Sequence, residues 1–359
     1  MFIFANNNSV KIKLLIHSIM ENVDFVNETL SGLRSDYEWE RIYERYANDI
    51  ALNEDIYKKE ARKLKVKHPL VVYSSIGRVG NSSKLVFDIR VSGQSVGNIT
   101  IDKGGVPMFK IKKNQPQYGN KHFEFDDNWL TKCDKWDGGM LSESFKMFYS
   151  EEVKGKIPDV GIKEHRVESQ MLCDFAKKGG KDDKKLRWIQ PVRLGGAFFQ
   201  FVTPLKASTH QPKVLAKGTN GGGIDILARV KHKNEIRFRL AIIELKDGNE
   251  SREPQKDVMF QALTYATFIA SLLRSKKSGR LWWKILRNSK HDADVPKHLH
   301  LDVVTLMPGP RKPDEEGCLD DIWIGELNVT FHLYTLYYTL DAQGDIASFS
   351  GTLKDDLKE

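Results

Sequence analysis

The spacing of hydrophobic and polar residues changes within the N-terminal half of the chain. From about Ser35 to Lys65, charged residues are mixed with Tyr, Ile, Leu and Ala at intervals typical of one or two amphipathic helices. The segments HPLVVYSS, KLVFDIRVSG and SVGNITIDKGG then alternate apolar and polar residues between Gly, Asn and Ser, which predicts short antiparallel strands. We therefore predict a separate α+β domain over residues 1–150, and the sequence leaves open whether it recognises a target or a partner.

A second domain is predicted beyond residue 150. Residues 150–162 are rich in Glu, Lys and Gly and include Pro158, a composition typical of a boundary. The pattern then predicts helices in KEHRVESQMLCDFAKK and PQKDVMFQALTYATFIASLLRS, and strands in IDILARV, IRFRLAIIELK, HLDVVTLM and NVTFHLYTLYYTLD. This succession predicts an α/β domain with a mixed sheet over residues 151–359.

Composition favours a polyanionic partner. The 359 residues carry a formal net charge of +8, and neutralising phosphates with Lys and Arg releases condensed counterions. The sequence offers no run of the ~18 apolar residues that a membrane span needs, and its N-terminus lacks the apolar core and cleavage site of a signal peptide. Three widely separated cysteines are typical of a reducing compartment. We therefore expect a cytoplasmic protein without a membrane partner.

Three chemically distinctive residues fall on two successive predicted strands. Glu244 and Lys246 are two residues apart in LAIIELK, so both project from one face while Leu245 faces the core. Asp225 follows glycines 221–223, which allow backbone or substrate to approach closely. The apolar LAII residues indicate a buried strand, where charges need a compensating partner. A hard divalent cation is one such partner, and an ordinary structural ion pair is the alternative.

The segments GGID, IIELK and QALTY resemble the RecB-like branch of the PD-(D/E)XK nuclease superfamily, over roughly residues 160–310. That branch is marked by a GxxD turn and strand, a (D/E)xK strand and a QxxxY helix. Here these are Asp225 with its preceding glycines, Glu244 to Lys246, and Gln261 with Tyr265. The resemblance implies a restriction-endonuclease-like fold in the C-terminal half, a mixed β-sheet core flanked by helices.

The resemblance also implies a site for Mg²⁺ or Mn²⁺. In that site Asp225, Glu244 and the backbone carbonyl of Leu245 would bind the ion. The superfamily typically carries a further acidic residue on the helix before the sheet, which would bind a second metal ion or its water. Glu168 is the best match and Glu164, one turn earlier, is the reserve. A solvated helix charge is the alternative for Glu168.

Other residues would serve the nucleic acid. The resemblance implies that Lys246 orients the attacking water or offsets charge on the phosphate, and that Gln261 and Tyr265 support Lys246 and contact the nucleic-acid backbone. Gln261 and Tyr265 share a helix face, although ordinary helix-surface residues are an alternative. Candidate phosphate contacts in the preceding loop, where solvated loop lysines are the alternative, are Lys206, Lys213 and Lys217. GRLWWKILR predicts a helix that buries a tryptophan, with a stacking surface as the alternative.

A metal-dependent DNA nuclease is thus the function that the sequence favours. An RNA-directed nuclease of the same fold and a catalytically silent nucleic-acid-binding or scaffold protein are the alternatives. Some RecB-like nucleases carry an iron–sulfur cluster on four cysteines, three of them beyond the QxxxY helix. Only Cys318 lies beyond that helix here, so no such cluster is expected. Sequence specificity, endo- or exonucleolytic action and oligomeric state stay open.

Overall fold

The chain forms two compact units in the computed structural model. The N-terminal unit comprises Glu44–Val202 and Asp225–Leu227, and the C-terminal unit comprises residues up to Tyr43, Thr203–Ile224 and Ala228–Glu359. The predicted boundary near residue 150 falls inside the N-terminal unit. The structure describes residues 20–36, 38–59, 64, 66, 69–76, 84–102, 105–153, 156, 158, 164–176, 186, 188–207, 213–214, 221–248, 253–287, 294–311 and 319–358.

Helices form where the apolar residues recur at helical spacing. They are α1 (20–35), α2 (Glu38–Leu52), α3 (Glu54–Lys59), α4 (Met140–Met147), α5 (Glu164–Ala176), α6 (Gln255–Arg274), α7 (Gly279–Arg287) and α8 (Thr352–Asp356), with a 3-10 turn at Asp127–Leu130 and a π-helical turn at Phe148–Glu152. The helices predicted between Ser35 and Lys65 are confirmed as α2 and α3, and KEHRVESQMLCDFAKK contains α5. Among the helices of the described residues, none is both long and apolar enough to cross a membrane.

The N-terminal unit is built on a mixed β-sheet. The strands within this unit are β1 (Leu70–Ser75), β2 (Lys84–Val91), β3 (Gln94–Asp102), β4 (Pro107–Ile111), β5 (Asp134–Lys135), β6 (Ile189–Pro191), β7 (Arg193–Leu194) and β8 (Ala197–Val202). The sheet order is β8-β1-β2-β3-β4-β5, in which β1 is parallel to β8 and the other neighbours are antiparallel. The predicted antiparallel strands are confirmed as β1 to β3. The pairing of β1 with β8 explains why this unit extends well beyond residue 150.

A second mixed sheet organises the C-terminal unit. The remaining strands are β9 (Leu205–Lys206), β10 (Lys213–Val214), β11 (Gly223–Ile224), β12 (Ile226–Val230), β13 (Arg239–Leu245), β14 (Leu299–Pro308), β15 (Ile322–Ile324), β16 (Val329–Leu340) and β17 (Ile346–Ser350). Part of the sheet runs β15-β16-β14-β13-β12, with β17 also paired to β16. Strands β13, β14 and β16 are parallel, whereas β15 and β17 are antiparallel to β16. The α/β class with a mixed sheet is confirmed.

Helix α6 covers β13 and β14 and is buried over most of its length. Its Phe268 ring meets Tyr43 edge-on at 4.9 Å and Trp39 at 5.3 Å between centroids. The Trp282 indole donates a hydrogen bond to the Tyr43 carbonyl at 3.1 Å. Both tryptophans of α7 are buried, Trp282 at 0% and Trp283 at 5% exposure. The WW pair therefore serves packing, and the alternative of a stacking surface is wrong.

A buried polar network fastens α8 to the sheet of the C-terminal unit. The ring of His232 lies between two carboxylates, with Nε2 2.7 Å from Asp302 Oδ2 and Nδ1 2.9 Å from Asp356 Oδ2. Asp302 also accepts from Arg239 Nη1 at 3.2 Å, and Tyr334 Oη donates to Asp356 at 2.7 Å. Burial acts to lower the pKa of His232, but the hydrogen bond to Asp302 and the charges of both carboxylates outweigh burial and raise it.

Candidate functional site

Glu244 and Lys246 meet at the end of β13. The strand is buried from its second residue onward because its neighbours in the sheet and α6 cover it. Glu244 is 5% exposed and Lys246 9% exposed, and Lys246 Nζ donates to Glu244 Oε1 at 3.3 Å. Leu245, between them, is fully buried and pairs with Leu306 of β14. The predicted sharing of one strand face by Glu244 and Lys246 is thus confirmed.

Glu253 connects this pair to α6. Its Oε2 lies 3.6 Å from Lys246 Nζ, and its Oε1 accepts from Gln261 Nε2 at 2.8 Å. Gln261 is 8% exposed, so it is not a surface residue of the helix. A polar chain therefore runs from Glu244 through Lys246 and Glu253 to Gln261. Sequence reasoning missed Glu253, and its only signal was an acidic residue directly before Pro254 at the start of the helix.

The glycines before Asp225 allow close packing within the C-terminal unit. Gly222 accepts from the Thr203 amide at 2.9 Å and donates to the Leu205 carbonyl at 2.7 Å. A Cβ on Gly221 would overlap the carbonyl oxygens of Thr203 and Leu205, and a Cβ on Gly222 would overlap Tyr265 Oη. Tyr265 is 5% exposed. Tyr265 of α6 therefore lies against the turn formed by Gly221 and Gly222, and these close contacts explain why both positions are glycine.

The backbone of Lys246 is hydrogen-bonded on both sides of the residue. Its amide donates to the Leu306 carbonyl at 3.0 Å, and its carbonyl accepts from Tyr338 Oη at 2.8 Å. Asp247, the next residue, is also buried. Sequence reasoning missed Tyr338 because it lies 92 residues further along the chain. These bonds fix the end of β13, and so the direction in which its polar side chains project.

Glu168 and Asp225 belong to the N-terminal unit. Glu168, on α5, is 5% exposed, so the alternative of a solvated helix charge is wrong. Its Oε2 lies 3.3 Å from His165 Nδ1, and this hydrogen bond raises the pKa of His165. Burial raises the pKa of Tyr73, and the charge of Glu168 raises it further. Asp225 is half-buried and is the single residue that separates β11 from β12 along the chain. Glu164 is also half-buried.

The lysines of the preceding loop are only partly described. Lys206 is exposed on β9 and pairs through its backbone with Lys213 on β10. Lys217 and Cys318 lie outside the described residues. Of the three candidate phosphate contacts, only the side chain of Lys206 is described, and it is exposed.

Within the described ranges, no group of three or more His, Cys, Asp or Glu side chains is arranged to hold a metal ion. The structure brings together Glu244, Lys246 and, through Glu253, Gln261. Comparison with protein-family models, with curated proteins and with solved structures finds no match to this chain.

Proposed function

We propose that this protein is a Mg²⁺- or Mn²⁺-dependent nuclease of the PD-(D/E)XK type that hydrolyses phosphodiester bonds in DNA. The observation that carries the proposal is the buried pair of Glu244 and Lys246 at the end of β13, 3.3 Å apart. Burying two charges costs hydration, and apolar side chains of similar size often stabilise a core as well or better. A charged pair kept at the end of an otherwise apolar strand is therefore better explained by chemistry than by stability.

The chemistry of the donor set fits a hard divalent cation. Carboxylates and a backbone carbonyl supply the oxygen ligands that Mg²⁺ binds in proteins. In the proposal these come from Asp225, Glu244 and Leu245, and Glu168 adds a carboxylate for a second ion or its water. When bound, the ion would polarise the scissile phosphate and lower the pKa of a bound water.

Lys246 acts on the reacting groups. Carboxylates on two sides hold its ammonium, since Glu244 and Glu253 lie 3.3 Å and 3.6 Å from Nζ. A cation fixed in a poorly hydrated place stabilises developing negative charge without reorganising during the reaction. Lys246 would therefore offset charge on the phosphorane or orient the attacking water. Gln261 would position Lys246 through Glu253, and Tyr265 would support the glycine turn that precedes Asp225.

Charge supports nucleic acid as the substrate. The chain carries a formal net charge of +8, and Lys206 is exposed. Phosphate contacts by lysines position a duplex without reading its sequence. The C-terminal sheet and helices would have a restriction-endonuclease-like arrangement, and the enzyme would be cytoplasmic.

The proposal is tested by cleavage assays on the full chain. Purified protein is incubated with Mg²⁺ or Mn²⁺ and with linear duplex, circular duplex and single-stranded DNA and RNA. We expect cleavage of DNA that stops on chelation. Lys246→Ala should lower the rate by about 100-fold or more while binding is retained, because it removes charge stabilisation from the transition state.

Lys256→Ala is the matched control on α6. Lys256 is exposed and pairs with Glu21 at 2.7 Å, and such surface pairs contribute little to stability. This variant should cleave at the wild-type rate. Failure of the wild-type protein to cut any substrate with either ion would refute the proposal, as would undiminished cleavage by Lys246→Ala. Cleavage of RNA but not of DNA would show that RNA is the substrate. Binding of nucleic acid without cleavage would indicate a scaffold.

A further inference from the structure

Three histidines form a group on the polar face of the C-terminal sheet. In the segment HLHLD apolar and polar residues alternate, so His298 and His300 project to one side while Leu299 and Leu301 are buried. His332 lies on the neighbouring strand β16, where Asp302 is its partner in register. Both His298 and His300 are exposed and His332 is half-buried.

The rings are in direct contact. His300 Nδ1 lies 2.8 Å from His332 Nε2, and the two ring planes are 14° apart with centroids separated by 5.1 Å. His298 stacks on His300 at 4.4 Å and bonds Thr330 Oγ1 through Nε2 at 2.8 Å. On the far side of His332, its Nδ1 lies 2.8 Å from Asp321 Oδ2. Each imidazole therefore has a neighbour that restricts its rotation.

Asp321 determines which nitrogen of His332 carries a proton. An ionised carboxylate has no hydrogen to donate, so Asp321 accepts the hydrogen bond from His332 Nδ1. The proton of His332 is then on Nδ1, and Nε2 presents a lone pair to His300. An imidazole oriented by a carboxylate in this way is the arrangement that metal-binding histidines adopt in proteins.

We propose that His300 Nδ1 and His332 Nε2 form a binding site for a divalent transition-metal ion such as Zn²⁺, with Asp321 as the residue that orients His332. Zn–N bonds of 2.0–2.1 Å at a tetrahedral angle separate two ligand nitrogens by about 3.3 Å. The observed separation is 2.8 Å, so the two nitrogens would move apart by about 0.5 Å and both rings would turn so that their lone pairs meet at the ion. The proton between them moves to the other nitrogen of His300, and no oxidation or reduction is involved.

Water would complete the coordination. No three His, Cys, Asp or Glu side chains in the described part of the chain are arranged to hold a metal ion, so the site has two protein ligands. His298 packs against His300, and Trp323 packs against His298 at 4.7 Å. Imidazole suits Zn²⁺, Cu²⁺ and Ni²⁺, whereas Mg²⁺ prefers oxygen. The two proposed sites would therefore favour different ions.

Zn²⁺ titration of the untagged full chain, by calorimetry, tests the inference. We expect one Zn²⁺ whose binding is lost in His300→Ala and His332→Ala. Asp321→Asn should bind about 10- to 100-fold more weakly, the usual effect of removing an orienting carboxylate. His122→Ala, at an exposed histidine of the N-terminal unit, is the matched control and should bind as the wild type does.

Two further variants make each outcome decisive. Glu244→Gln changes the proposed Mg²⁺ site and should leave Zn²⁺ binding unchanged. The Zn²⁺ site is thereby tested separately from the proposed nuclease site. His300 is exposed, so His300→Gln should fold, as circular dichroism would verify. The inference is overturned if the wild type binds no Zn²⁺, or if both substitutions of His300 bind it as tightly as the wild type. Unchanged binding by Asp321→Asn would overturn the role of Asp321.

Discussion

Replacing Lys246 by methionine removes one charge from the buried pair while largely keeping the volume of the side chain. The Glu244 carboxylate then retains its negative charge at 5% exposure, without the ammonium that lay 3.3 Å away. Replacing Glu244 by glutamine as well makes both side chains neutral. Comparison of the single and double variants therefore separates the cost of an uncompensated charge from the loss of packing.

The magnitude follows from the geometry. Opposite charges 3.3 Å apart attract by about 5 kcal/mol at an effective dielectric constant of 20. Part of this lost attraction is offset because the ammonium no longer has to be removed from water. Removing one partner of a buried ion pair usually lowers the unfolding free energy by about 3–5 kcal/mol. Glu253 is 32% exposed, so water can reach part of this group. We therefore expect Lys246→Met to lose about 3 kcal/mol of unfolding free energy, and the double variant only about 1 kcal/mol.

Urea unfolding followed by far-UV circular dichroism measures these free energies, and cleavage assays run alongside. The double variant should regain stability without regaining cleavage, because the role proposed for Lys246 in cleavage needs its positive charge. The reasoning is refuted if Lys246→Met is within about 1 kcal/mol of the wild type, or if the double variant is less stable than either single one. Recovery of cleavage by the double variant would show that the pair is purely structural.

Two further predictions concern the surroundings of the site. Gly222→Ala places a Cβ against Tyr265 Oη and should lower the unfolding free energy by about 1–3 kcal/mol through overpacking. Adding Tyr265→Phe, which removes the hydroxyl, should restore part of that stability. An unchanged urea midpoint for Gly222→Ala would contradict the packing described. The pKa of His232 in the folded protein is raised above the ordinary histidine value of about 6.5, so its stabilising contribution is complete below that pH and is lost as pH rises through the folded pKa. Unfolding free energy should therefore fall above about pH 6.5 in the wild type and fall less in His232→Gln; parallel profiles would contradict this.

The local pattern of the sequence determined the elements that carry the candidate site. Period-two alternation placed Glu244 and Lys246 on one face of a buried strand, and helical spacing placed Gln261 and Tyr265 together. These inferences succeed because they depend only on backbone geometry within one element. The mixed α/β sheet followed from the order of such elements, whereas the roles of these residues in catalysis stay a prediction.

Tertiary structure alone decided which distant residues meet. Tyr338 reaches the Lys246 carbonyl across 92 residues, and His300 meets His332 because β14 and β16 pair in parallel. Register between strands depends on how the whole core packs, and no single segment encodes it. The same reason explains the discontinuous N-terminal unit, in which β8 joins β1. Local sequence thus determined the strands and helices that carry the candidate site and the faces they present, and packing between distant segments determined the contacts of their charges.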